Sequence, residues 1–151
     1  MRLGSERIRH KKLQQPCPDL VSGELIARSE LLMCHVLVIE DEPLIAEWVS
    51  DLASDGGATS IDIADTQAGA IASARQNPPA LILSDVKLAE GTGPMACSVI
   101  LEELGERPVI FITGTPEECQ PCHYASAILG KPIVPHGLSA LLGHRFTVGW
   151  T

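Results

Sequence analysis

Five polar side chains stand at the ends of short apolar runs in this sequence, and their types suit phosphoryl chemistry. Glu40 closes the run VLVIE (36–40) and Asp41 follows it. Asp85 follows ALILS (80–84), Thr113 follows PVIFI (108–112), and Lys131 follows AILG (127–130). Carboxylates held within a few ångströms of one another raise each other's pKa and cost stability unless a cation joins them. A hard dication with oxygen ligands resolves that conflict, and Mg2+ suits a small cleft lined by Glu40, Asp41 and Asp85. Lys131 adds a mobile positive charge and Thr113 a neutral hydroxyl. A metal ion and an ammonium together neutralise the equatorial oxygens of a phosphoryl group while a nucleophile attacks in line. Asp85 is the candidate nucleophile: one carboxylate oxygen holds the ion and the other attacks, giving an acyl phosphate.

These residues meet only if the apolar runs lie side by side. VLVIE is rich in β-branched residues and reads as a buried strand, β1 (36–40). Pro43 suits a helix first turn, and Leu44, Ile45, Trp48, Val49 and Leu52 recur at helical spacing, predicting α1 (43–54), closed by Gly56 and Gly57. SIDIA alternates and predicts a more exposed strand, β2 (60–64). An Ala-rich stretch stopped by Pro78 and Pro79 predicts α2 (66–76). ALILS is β3 (80–84), followed by a loop with Gly91, Gly93 and Pro94 and by α3 (95–104). PVIFI is β4 (108–112). Residues 117–126 carry a weak helical pattern for α4. AILG is β5 (127–130), and 136–144 form α5. Apolar strands alternating with helices imply a parallel α/β sheet with helices on both faces. Strand order 2-1-3-4-5 is the common doubly wound solution, with its ligand site outside the C-terminal strand ends, at the switch between β1 and β3.

At these residues the sequence resembles the receiver domain of two-component response regulators. The resemblance rests on VLVIEDEP (36–43), LILSDVKL (81–88), VIFITGTPE (109–117) and GKPI (130–133), and covers about residues 35–145. It implies a flavodoxin-like receiver fold and assigns roles residue by residue. Asp85 resembles the phosphoacceptor, Asp41 a direct Mg2+ ligand, and Glu40 the group that holds the ion through water. The backbone carbonyl of Lys87 is a further implied ligand. Thr113 resembles the switch hydroxyl and Lys131 the lysine that pairs with the phosphoryl group, with Pro132 in the cis bond usual after that lysine. The implied partners are a histidine kinase or phosphotransfer protein and an output protein of unidentified nature, with a homodimer through the α4-β5-α5 face as a further arrangement. The implied protein accepts a phosphoryl group, and catalyses at most its own phosphorylation and dephosphorylation, without a separate output enzyme.

Two departures stand out. The family usually has Tyr or Phe three residues before the lysine, where this chain has Ile128. The stretch from Thr113 to Lys131 is short and holds Pro116 and Pro121, so α4 is expected to be reduced or irregular. The VIFITGTPE run resembles a subgroup of bacterial receivers with an atypical fourth helix.

Composition bounds the rest. At 151 residues and 45% hydrophobic content the chain fits one domain with a real core, built mostly from aliphatic residues because only 3% is aromatic. Residues 1–34 carry net charge +2 and read as a basic, flexible extension with a short helix at 24–33; residues 35–145 form the domain and 146–151 a tail. Residues 35–151 carry net charge −10, which disfavours direct nucleic-acid binding. No run of 18 apolar residues predicts a membrane span, and no apolar stretch follows the basic head as in a signal peptide. The five cysteines are read as free thiols of a cytoplasmic protein.

Competing chemistries fit less well. Cys119-Gln-Pro-Cys122-His123 matches the c-type haem pattern, but attachment requires export. Zinc at Cys119, Cys122, His123 and His136 lacks a second CxxC. Nucleotide-binding glycine loops and a GxSxG elbow are missing. A dehalogenase-type phosphatase would carry its nucleophile at the end of β1 with a second Asp two residues on, where this chain has Pro43. The remaining alternative is a receiver-like interaction module that is not phosphorylated.

Overall fold

A computed structural model describes residues 34–131. Residues 1–33 of the expected extension (1–34), its helix at 24–33, Pro132, α5 (136–144) and the tail lie outside the described residues. A five-stranded parallel sheet runs in the order β2-β1-β3-β4-β5, as the doubly wound reading expects. The strands are β1 (His35–Ile39), β2 (Ser60–Ala64), β3 (Leu81–Ser84), β4 (Val109–Thr113) and β5 (Ala127–Gly130). The helices are α1 (Pro43–Asp55), α2 (Gln67–Gln76) and α3 (Gly93–Leu104).

Burial explains the strand sequences. Every residue of β1, β3 and β4 is buried, so these central strands need apolar side chains on both faces. One face carries Val36, Val38, Leu81, Leu83, Ile110 and Ile112 against Ala46, Val49, Leu52 and Ala53 of α1. The other carries Leu37, Ile39, Ile82 and Phe111 against Ala70 and Ala74 of α2 and Ala96, Cys97 and Ile100 of α3. The small residues of α2 and α3 let these helices pack closely against the sheet and each other. The edge strands β2 and β5 are only partly buried.

Local chemistry sets the helix starts. Pro43 begins α1, where its missing N–H would have no partner anyway. Thr66 caps α2 by accepting from the Gly69 N–H at 2.9 Å. Thr92 caps α3 by accepting from the Met95 N–H at 3.2 Å, so this helix begins at Gly93 rather than near residue 95.

Two expectations need correction. Residues 117–126 do not form the helix of their weak pattern, in keeping with the reduced or irregular α4 expected from Pro116 and Pro121: one 3-10 turn at Pro116–Glu118 is followed by irregular chain. Pro121 lacks the N–H that a second helical turn would use. The cysteines are not all free thiols. Cys119 and Cys122 form a disulfide with their Cα atoms 5.6 Å apart, within the span a disulfide requires. Cys34 is disulfide-bonded as well, and Cys97 is a buried free thiol. Cys119, Cys122, Tyr124 and Ala125 join the core on the side where α4 would lie. The Tyr124 hydroxyl donates to the Pro94 carbonyl at 2.6 Å, and its ring lies 6.0 Å from that of Phe111.

Candidate functional site

The parallel register delivers the polar residues to one rim. Ile39 pairs with Ser84 across β1 and β3, so the next residues, Glu40 and Asp85, leave the sheet side by side. The Glu40 N–H donates to the Ala64 carbonyl at 2.9 Å, and the Asp85 N–H to the Ile39 carbonyl at 2.8 Å. Thr113 pairs with Gly130 across β4 and β5, and the Lys131 N–H donates to the Thr113 carbonyl at 2.8 Å. Four strands thus bring Glu40, Asp41, Asp85, Thr113 and Lys131 to their C-terminal ends, where the sheet order reverses.

Lys131 ties the cleft together. Its Nζ lies 3.0 Å from Asp85 Oδ2 and 3.4 Å from Glu40 Oε1. Glu40 is 4% exposed, and its Oε2 accepts from the Glu42 N–H at 3.2 Å. Asp85 Oδ1 accepts from the Val86 N–H at 2.7 Å, and the Ser84 hydroxyl donates to the Asp85 carbonyl at 2.7 Å. Both the backbone and the side chain of Asp85 are therefore held in place.

The charge in this cleft is not balanced. Burial and the nearby Asp85 charge push the Glu40 carboxyl up from 4.5 to about 7, despite Lys131 and the Glu42 N–H pulling the other way. Burial alone would lower the Lys131 pKa, but its hydrogen bond to Asp85 and the charges of Glu40 and Asp85 outweigh that and raise it. Ligand oxygens of Glu40, Asp41 and Asp85 lie within 4.8 Å of one another. A hard oxygen donor set with excess negative charge fits a small dication.

Thr113 is 1% exposed, and its Oγ1 accepts from the Thr115 N–H at 2.9 Å and lies 3.3 Å from Thr115 Oγ1. Lys87 forms an isolated antiparallel bridge with Thr92, and its Nζ reaches Glu118 Oε1 at 2.9 Å. Sequence reasoning missed three participants. Thr115 and Glu118 tie the loop after β4 to Thr113 and Lys87, and no spacing rule announces such contacts. Gly93 packs so closely that an added Cβ would overlap the Asp85 carbonyl oxygen and Ser84 Oγ. A glycine at the start of a helix, where a capping rule does not ask for one, was the only available signal. Ile128, at the position of the family's usual aromatic residue, is 42% exposed.

The Glu40 shift gives a prediction about pH. Its folded pKa lies above its unfolded value, so its contribution to stability is fully present below about 4.5 and lost as pH rises through about 7. The shift corresponds to a free energy on the order of 3 kcal/mol. Without divalent ions, Glu40→Gln should be more stable than the parent at about pH 8, and the difference should vanish at about pH 4.5. Urea unfolding of both proteins across this range measures it. A difference that does not change with pH contradicts the assigned charge crowding.

Comparison with known proteins bears on the same residues. Residues 36–140 match the family model described as the response regulator receiver domain. The phyllosphere-induced regulator PhyR of Methylorubrum extorquens is 36% identical over 111 residues, covering 72% of this chain and 42% of that protein. A double mutant of the anti-anti-sigma factor PhyR from Bartonella quintana matches with a TM-score of 0.65 and 32% identity, covering 80% of this chain and 52% of that one. The chain spans about half the length of these PhyR relatives. The chemotaxis protein CheY4 of Vibrio cholerae matches with a TM-score of 0.64 and 26% identity, covering 72% of this chain and 95% of that one. Among the described residues, no helix is long and apolar enough to cross a membrane.

Proposed function

Because this chain belongs to the response regulator receiver domain family, with the phosphorelay role that membership carries, we propose that Asp85 accepts a phosphoryl group from a histidine kinase or phosphotransfer protein in a Mg2+-dependent reaction. The observation that carries this reading is the cleft in which Lys131 Nζ lies 3.0 Å from Asp85 Oδ2, beside Glu40 and Asp41. An Asp85 carboxylate oxygen attacks the phosphorus of a phosphohistidine, the P–N bond breaks, and the imidazole leaves with its electron pair. Lys131 then pairs with a phosphoryl oxygen. Glu40, Asp41 and Asp85, with the Lys87 carbonyl as a further ligand, would hold a Mg2+ ion, and that ion would supply neutralisation of the phosphoryl charge. Water later attacks phosphorus and regenerates the Asp85 carboxylate. The reading places the protein in the cytoplasm, where the kinase module works.

Asp41 tests the metal assignment without removing the nucleophile. Mg2+ should stabilise the parent by about 2.7 kcal/mol at a hundredfold excess over its dissociation constant. In Asp41→Ala the affinity should fall about tenfold or more, and phosphorylation with it. Thermal unfolding across a Mg2+ titration reads the affinity. Equal stabilisation of both proteins would remove Asp41 from the site.

The output is a change of surface that controls a partner protein, with dimerisation through the same face as one form it can take. The anti-anti-sigma activity named for the Bartonella relative belongs to a longer chain, of which this one covers 52%. In this proposal Thr113 turns toward the phosphoryl oxygens and so releases the Thr115 N–H it now accepts from. Ile128 has no hydroxyl or ring to follow that turn and only repacks. The response therefore concentrates in residues 114–127, which become more ordered and change the face around β5. Backbone NMR relaxation with and without beryllofluoride checks this. Thr113→Ala should keep Asp85 reactive but lose the ordering. Changes confined to α1 would defeat this route of switching.

A further inference from the structure

The Cys119–Cys122 disulfide plays no part in the phosphoryl chemistry, yet it sits in a loop tied to that cleft through Thr115 and Glu118. We propose that this pair is a reversible thiol–disulfide exchange site for low-molecular-weight thiols, and that its redox state sets the order of the loop between β4 and β5. The two cysteines are three residues apart, and the bridge closes the chain directly after the 3-10 turn. Cys119 is 9% exposed and packed in the core with Phe111, whereas Cys122 is only partly buried. A solvent thiolate therefore meets Cys122 first.

The exchange balances with a thiol as the sole co-reactant. The external thiolate attacks Cys122 Sγ, the bond to Cys119 Sγ breaks, and Cys119 leaves as a thiolate that takes a proton from water. A second external thiol then displaces Cys122 from the mixed disulfide. The net products are two cysteine thiols and one oxidised small disulfide, and the reverse reaction restores the bridge. In a reducing compartment, a disulfide that forms at all is typically catalytic or redox-sensing. Cys97 provides an internal contrast. It is fully buried beside Ser84, and burial pushes its thiol up to about 12, so it is inert to such exchange.

A short relay joins the bridge to the cleft. The Cys119 N–H donates to the Pro116 carbonyl at 3.1 Å, and the Glu118 N–H to the Thr115 carbonyl at 2.9 Å. Thr115 donates in turn to Thr113 Oγ1, and Glu118 pairs with Lys87. Beyond the bridge, the Ala125 N–H donates to the Cys122 carbonyl at 3.0 Å. The loop has no regular helix of its own, so the disulfide is the covalent element that limits its unfolding. Opening the bridge frees Thr115 and Glu118 from a constrained turn. The consequence for phosphorylation rests on the function proposed above; the exchange itself does not.

Full-length protein equilibrated in glutathione buffers, quenched with acid and alkylated, reports the thiol state on the peptide that spans residues 108–131. The pair should pass from about 10% to about 90% oxidised in a single step over roughly an 80-fold change in the ratio of squared glutathione to glutathione disulfide. Amide exchange of residues 114–126 should quicken about tenfold or more on reduction, with the Cys97 peptide unchanged. Cys119→Ser and Cys122→Ser should each show the fast pattern at every ratio. Asp85→Ala should titrate like the parent, which separates this proposal from the phosphoacceptor reading. A pair that stays reduced in glutathione disulfide, a dithiol held by zinc, or oxidation without a change in amide exchange would each overturn it.

Discussion

Replacing Asp85 by alanine is expected to abolish phosphorylation from acetyl phosphate, a loss of about a thousandfold or more, because no other group in the cleft takes over as nucleophile. Glu40 is nearly fully buried, Lys131 is cationic and Asp41 is assigned to the metal ion, so none of them substitutes for it. The variant should remain folded. Removing the Asp85 charge takes away one of the two causes that raise the Glu40 pKa, so this carboxyl should titrate closer to its usual value. The cost lies at Val86, whose N–H loses its acceptor at Asp85 Oδ1. Asp85→Asn keeps an oxygen there and should lose phosphorylation just as completely. Intact mass after incubation with donor and Mg2+ measures both variants. A phosphoryl group retained by either one places the nucleophile elsewhere.

Among the described glycines, Gly93→Ala should be the most damaging change to alanine. The added Cβ would overlap the Asp85 carbonyl oxygen, which is backbone, and Ser84 Oγ, which donates to that same oxygen. Neither can swing aside as the end of a long side chain could. The Gly93 N–H also donates to the Val86 carbonyl at 2.9 Å, so α3 cannot retreat without losing this bond. Overpacking of this kind costs about 3 kcal/mol, and displacing Asp85 should slow phosphorylation about a hundredfold. Gly114→Ala is the matched control, since nothing lies within 4 Å of its added Cβ, and its stability should change by less than about 0.5 kcal/mol. Urea unfolding of the two variants, read with their phosphorylation rates, distinguishes a local clash from a general intolerance of methyl groups near the cleft.

The central strands were legible in the sequence because β1, β3 and β4 are buried on both faces and so read as unbroken apolar runs. Once parallel pairing was inferred, the residues after each run had to share one rim, and Glu40, Asp41, Asp85, Thr113 and Lys131 do. What escaped the sequence depends on tertiary distance. The start of α3 moved two residues because Thr92, not the apolar period, sets it. The Cys119–Cys122 bridge depends on a 3-10 turn that an averaged helical pattern conceals. At the opposite rim, the buried His35 bonds Ser60 Oγ at 2.7 Å and Asp62 Oδ2 at 3.1 Å, fastening β1 to β2. The alternation of SIDIA predicted a more exposed strand and gave no sign of this contact.

The most direct measurement locates the phosphoryl group in the unmodified protein. An acyl phosphate is cleaved by hydroxylamine and reduced by borohydride, which converts an aspartyl phosphate to homoserine. Protein incubated with acetyl phosphate and Mg2+, reduced, digested and sequenced by mass spectrometry should show homoserine at position 85 alone, and none when Mg2+ is chelated beforehand. Homoserine at Asp41 or at any other aspartate, or a phosphoryl group stable to hydroxylamine, would contradict the assignment of Asp85 as the phosphoacceptor.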